Sequence, residues 1–107
     1  MSEPVVPYKV VYSERVRQRL KALGAEAIRR GDGEQFAAAL KEFHRRLCIY
    51  PQFGEPFLDL VAEPGQIYNA IIRPLAMRYG VHEGRRLVMV GALPVLLPMA
   101  SEEPGSE

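Results

Sequence analysis

Apolar positions change their period twice along the chain. Residues 8–12 (YKVVY) form a β-branched and aromatic run that predicts a first strand. From Ser13 the spacing turns helical: Val16, Leu20, Leu23, Ala27 and Ile28 share one stripe, with Arg15, Arg17, Arg19 and Lys21 between them. Ser13 suits an N-cap, and Glu14 in the first turn opposes the helix dipole. Gly24 weakens this helix and is a candidate kink or early end, while Gly31 is a natural stop. Asp32-Gly33 predicts a tight turn, and the Asp32/Gln35 spacing predicts a capping box. A second helix follows over about 34–49, with Phe36, Leu40, Phe43 and Leu47 on one face and Pro51 to stop it. So short a link makes the two helices antiparallel neighbours, each with an apolar stripe to bury.

Beyond Ile49 the helical period is lost. Pro51, Gly54 and Pro56 mark a loop, 57–61 is a short apolar stretch, and Pro64-Gly65 is a turn signal. Strand candidates follow over 66–73, 75–82 and 86–93, separated by Pro74 and by Glu83-Gly84, spacings short enough for antiparallel hairpins. The last of these is apolar on both faces, as befits a central strand. Pro94 has no N–H to donate, which predicts that regular central pairing stops there. The order β-α-α-β-β-β describes an α+β domain, a helical hairpin packed on one face of a small, mostly antiparallel sheet.

Composition narrows this little until its distribution is considered. A chain of 107 residues with 48% hydrophobic and 25% charged residues suits one globular domain. The reading is an N-terminal tail over 1–7, a single domain over 8–100 and an acidic, flexible tail over 101–107. One cysteine excludes an intramolecular disulfide and any cysteine-based zinc cage within one chain. The formal net charge is +1, but Glu3, Glu102, Glu103 and Glu107 all lie at the ends. Residues 5–100 carry fourteen cations against nine acids, a net +5 that permits an anionic partner without demanding one. The opening MSEPVVPYKV lacks a basic stretch followed by an apolar one, and the longest apolar run, 87–100, is broken by Pro94 and Pro98. Both point to a soluble, cytoplasmic protein with no membrane partner; no cofactor is expected.

Certain local words resemble the RelE/ParE superfamily of toxins from bacterial type II toxin–antitoxin modules, of the kind associated with plasmid stabilization. They are Tyr8-Lys9-Val10-Val11-Tyr12-Ser13 before a basic amphipathic helix, and Leu47 to Pro51 followed by Gly54. Most telling is Arg78-Tyr79-Gly80-Val81-His82, then a turn and Arg86-Leu87-Val88-Met89-Val90. The likeness spans about residues 8–93. It implies a toxin neutralised by a cognate antitoxin that wraps it with an apolar and acidic segment. It also implies one of two mechanisms, a ribosome-dependent mRNA endonuclease or a protein that binds and poisons DNA gyrase.

Metal-independent RNA cleavage needs a base for the 2′-hydroxyl, cations for the phosphorane and an acid for the leaving oxygen. Arg73, Arg78, Arg85 and Arg86 lie on or beside the predicted sheet strands, where the endonuclease branch keeps its cations. Arg73, Arg78, Arg86 and His82 form the candidate catalytic set, with Arg78 as phosphate clamp and His82 as acid or base. Alternation puts Arg78 and His82 on one strand face, opposite Leu75, Met77, Tyr79 and Val81. Against a nuclease, all three lysines precede residue 42, and no His, Tyr or Lys follows His82. These departures favour a toxin that acts by binding. The basic helix positions Arg15, Arg17, Arg19, Lys21, Arg29, Arg30, Arg45 and Arg46 read first as solvated faces and second as a contact for an acidic partner. His44 and Cys48 sit at i, i+4 but are too few to close a metal site, so no metal is expected. The tail LPVLLPM is unlikely to stay bare in water. Leu93, Val95, Leu96 and Leu97 either cover the sheet or hairpin, or bind an antitoxin or a second copy of the chain.

Overall fold

In the computed structural model, which describes residues 6–60 and 65–98, the chain turns from strand to helix on a single residue. Ser13, after β1 (Lys9–Tyr12), is extended at φ −66° and ψ 160°, and its Oγ accepts from the Val16 N–H at 3.2 Å. That cap opens α1 (Glu14–Arg30). The helix runs through Gly24 without stopping, because a Cβ there would meet the Phe36 ring at 3.3 Å: the missing side chain lets the second helix come close. Gly31 ends α1 in the left-handed region at φ 85°, with its N–H returning to the Ala27 and Ile28 carbonyls.

α2 (Gly33–Ile49) begins two residues later. The predicted capping box does not form. Asp32 sits at φ −109° and ψ 20°, and its side chain makes no capping hydrogen bond. Its N–H instead donates back to Ala27 O at 2.7 Å, so the tight link spends on closing α1 the amide that a Gln35 side chain would need in a capping box.

After a single 3-10 turn (Pro51–Phe53), the chain forms β2 (Glu55–Leu60), β3 (Gly65–Ile72), β4 (Leu75–His82), β5 (Leu87–Val90) and β6 (Val95–Leu96). The six strands make one sheet in the order β1-β5-β4-β3-β2, with β6 pairing on β4 beyond the end of β5. Among the described strands only β1–β5 is parallel; β2–β3, β3–β4, β4–β5 and β4–β6 are antiparallel. This is the α+β arrangement expected, enlarged by β2 from the 57–61 stretch and by β6. Pairing does pause at Pro94, as its missing N–H requires, but resumes at once with Leu75↔Leu96 and Ala76↔Val95. The expected strand over 86–93 is therefore shorter, β5 over 87–90, and a further strand, β6, follows a break at 91–94. Arg73 belongs to the β3–β4 turn, whose Arg73–Pro74 peptide is cis, and not to β3. Residues 1–5 of the predicted N-terminal tail, the 101–107 tail, Val61, Pro64 and Met99 lie outside the described residues.

The core lies between the hairpin and one face of the sheet. Val16, Leu23 and Ala27 of α1 and Phe36, Ala39, Phe43 and Leu47 of α2 meet Leu75, Met77, Tyr79 and Val81 of β4. Burying each of those larger β4 side chains contributes about 2 kcal/mol. Among the described residues no charged or polar residue is buried. Tyr79 is the centre: its ring stacks on Tyr68 at 5.8 Å and on Phe53 at 6.1 Å, and its hydroxyl donates to Pro51 O at 2.7 Å. The chain beside it must be glycine, because a Cβ on Gly54 would lie 2.7 Å from both Asn69 O and the Tyr79 hydroxyl. One of those atoms is backbone and the other is pinned, so neither yields. Gly54→Ala is expected to lower unfolding free energy by about 2 kcal/mol in urea titration, and an unchanged midpoint would show that the segment relaxes freely.

Candidate functional site

The hairpin covers one sheet face, so the opposite face displays the residues that β4 does not bury. Strand register arranges this outer face in transverse rows. Lys9, Leu87 and His82 form one; Val11, Met89, Gly80 and Ile67 the next; Arg78, Asn69 and Glu55 a third; and Val95, Ala76 and Ile71 a fourth. Val11, Met89, Val95 and Ile71 are all exposed, which is unusual for large apolar side chains gathered on one surface. Gly65, Gly80 and Gly91 leave a shallow concavity of about 390 Å³ whose lining is mainly apolar.

Arg78 and His82 do share this face and line the same concavity, as alternation predicts. Each is engaged locally. The Arg78 guanidinium lies 4.0 Å over the Phe57 ring, and its Nε donates to Asn69 Oδ1 at 3.0 Å. His82 Nδ1 accepts the Arg85 backbone N–H at 3.2 Å. Arg86 occupies the β4–β5 turn at φ 50°, an uncommon conformation outside glycine. Its Nε donates to Val6 O at 2.8 Å while the guanidinium covers the Tyr8 ring at 4.6 Å. Arg73 donates to Pro98 O at 3.1 Å from the opposite end of β4, ~30 Å of extended chain away from His82. Tyr79 is buried, and burial pushes its phenol pKa up.

The four apolar tail positions divide. Leu96 packs on the core, and Leu97 N–H donates to Pro74 O at 2.6 Å, whereas Leu93 and Val95 stay exposed. β6 is held from the hairpin on both sides: Arg19 Nε donates to Pro94 O just before it at 3.2 Å and Arg30 to Leu97 O just after it at 3.3 Å. Nothing in the periodicity of α1 marks Arg19 for that task, since its acceptor lies 75 positions away.

Three of the remaining helix cations, Arg29, Arg45 and Arg46, have acidic partners. Glu42 binds Arg45 and Arg46, each at 2.6 Å, and Glu26 pairs with Arg29 and Arg30. Arg15, Arg17, Lys21 and Lys41 have no hydrogen bond or ion pair among the described residues, and two of them, Arg17 and Lys41, line an open groove of about 800 Å³ floored by Val10, Leu20, Phe36 and Leu40. β1 borders this groove and, among the described residues, pairs only with β5. Lys9 and Ser13 direct their N–H groups toward β5, at Arg86 O and Val90 O, so by alternation the Val10 and Tyr12 backbone groups face the open edge.

Tyr12, His44 and Cys48 form a chain at the end of the groove. The Tyr12 hydroxyl lies 2.9 Å from His44 Nδ1, and His44 Nε2 lies 3.6 Å from Cys48 Sγ. Burial first, and the neighbouring Cys48 second, push the Tyr12 pKa up to about 12, so its hydroxyl stays protonated beside the ring nitrogen. Among the described residues no group of three or more His, Cys, Asp or Glu side chains converges to hold a metal, and no helix is long and apolar enough to cross a membrane. The chain matches no protein-family model and no curated relative.

The Arg45 and Arg46 hydrogen bonds hold the Glu42 pKa down to about 2. A folded-state value below the unfolded one means that this stabilisation is full above about pH 4.5 and is lost as pH falls toward 2. Glu42→Gln is therefore expected to melt below the wild type at neutral pH, with the gap in Tm closing between about pH 4.5 and 2. A gap independent of pH would assign the effect to something other than the carboxylate.

Proposed function

We propose that this chain is a RelE/ParE-like toxin component of a bacterial type II toxin–antitoxin pair, acting by binding a cellular target of the gyrase kind and neutralised by a cognate antitoxin. The observation that carries the choice of binding over cleavage is that the candidate catalytic set does not converge. A phosphorane needs base, acid and cations within hydrogen-bond reach of one phosphate. Arg73 and His82 stand at opposite ends of β4, and Arg86 is committed to Val6 O and the Tyr8 ring. Arg78 is tied to Asn69 and Phe57, on a face that is otherwise mostly apolar. The groove between hairpin and β1 supports an antitoxin with apolar and acidic residues: its floor is apolar, its two flanking cations are unpaired, and its strand edge is open.

A second reading, the ribosome-dependent mRNA endonuclease, draws on one observation, that Arg78 and His82 line the same concavity. Expression of the chain alone in a bacterial host, with growth and message integrity followed together, separates the readings. Growth arrest with intact message, relieved by co-expression of the adjacent small gene and retained in Arg78→Ala, is the expected result. Arrest with cleaved message, abolished in Arg78→Ala, would replace binding by cleavage. No arrest at all would remove the toxin role and leave a non-toxic interaction module. With the antitoxin in hand, Lys41→Glu is expected to weaken the complex about tenfold at low salt, an effect that shrinks as salt rises.

A further inference from the structure

The outer sheet face is shaped to fit a copy of itself. Consider two such faces stacked about a two-fold axis that runs along the strands, midway between β4 and β5. The operation lays β5 of one copy over β4 of the other and β1 over β3, and leaves position along the strands unchanged. In the row Val11–Met89–Gly80–Ile67, Met89 then lies over the partner copy's glycine at position 80, and Val11 lies over the isoleucine at position 67. In the row of β6, Val95 lies over the alanine at position 76. Both rows set a large side chain against a small one, twice each by symmetry.

The protruding members are exposed in the single chain, Met89 by 57% and Val95 by 48%. The receiving position is open: a Cβ built on Gly80 meets no atom within 4 Å. The charge pattern agrees. Arg78 is drawn toward β2 by Phe57 and Asn69, away from the axis, so the two guanidinium groups do not face one another. Four facing strands bury on the order of 1,000 Å² over both copies, the lower bound for a specific dimer, and aligned sheets about 10 Å apart are a common packing mode.

We infer that two copies of this chain associate face to face through the outer surface of the sheet, with Met89 seated over Gly80 across a two-fold axis. Such an interface uses the same patch on both subunits. It lies on the opposite side of the sheet from the hairpin and is independent of the toxin reading.

Sedimentation equilibrium of the full chain at micromolar concentration tests it. The expected mass is about twice the 12.0 kDa of one chain. Gly80→Ile fills the receiving position, where a Cβ has open space in the monomer, and Met89→Arg places two charges beside the axis. Both are expected to sediment as monomers with an unchanged circular dichroism spectrum. Ile28→Arg, which alters an exposed apolar residue of α1 away from this face, is expected to remain dimeric. A monomeric wild type, a dimer that survives Met89→Arg, or a dimer lost in Ile28→Arg would each overturn the inference. If Gly80→Ile proves unfolded, Met89→Arg decides alone, since its side chain is already exposed. Growth arrest reads the toxin proposal separately and is unaffected by these outcomes.

Discussion

The hydrogen bond from Tyr79 to the Pro51 carbonyl ties the two layers together at the point where the chain passes from one to the other. Pro51 follows the end of α2, and Tyr79 sits on the middle strand of the sheet. A buried phenol with this partner stays protonated, because burial disfavours its charged form. The ring is held between Tyr68 and Phe53, which in turn meets Phe43 of α2 at 5.9 Å. Once Tyr79 points into the core, strand geometry sends Leu75, Met77 and Val81 with it and turns Arg78, Gly80 and His82 outward. The constraint on Gly54 comes from the same contact, since no side chain fits where its backbone crosses the hydroxyl.

That parity divides the molecule into two surfaces of different character. The hairpin side carries most of the cations, and most of those are satisfied by neighbours one helical turn away or by carbonyls of the β6 segment. Of the cations that remain unpaired, Arg17 and Lys41 flank an apolar groove beside an open strand edge, a combination suited to an acidic segment of polypeptide. The outer face carries few charges and many apolar side chains, and its one arginine is laid across an aromatic ring. A face of this kind gives a phosphate little to hold, but it provides apolar area for a protein surface. The +5 of the body is accordingly dispersed over helices and turns and is not gathered into a nucleic-acid groove.

Local patterns are legible in the sequence where the physics is local. The Ser13 cap, the Gly31 stop and the helix phases depend on residues within a turn or two, and β4 appears over 75–82 as its alternation requires. The capping box failed although its residues were present, because the Asp32 amide was needed to close the preceding helix. Likewise Pro94 interrupts pairing as its chemistry demands, yet β6 forms beyond it because β4 extends past β5 and offers an unpaired edge. In each case a sound local rule met a competing requirement from the neighbouring element.

For the candidate site the division is sharper. The sequence by itself determined which residues could share a face: Arg78 with His82, opposite Tyr79, follows from a period of two. It also determined that two amphipathic helices must bury their stripes against each other and a sheet. Only the tertiary structure decided which cations are free, since the acceptors of Arg19, Arg30, Arg73 and Arg86 are carbonyls, three of them far along the chain and none implied by residue type. It also decided that Arg73 is remote from His82, and that the small residues at 76 and 80 lie beside Val95 and Met89. Periodicity records the direction of a side chain from its own strand, whereas neighbours across strands depend on register, which is set by the whole sheet at once.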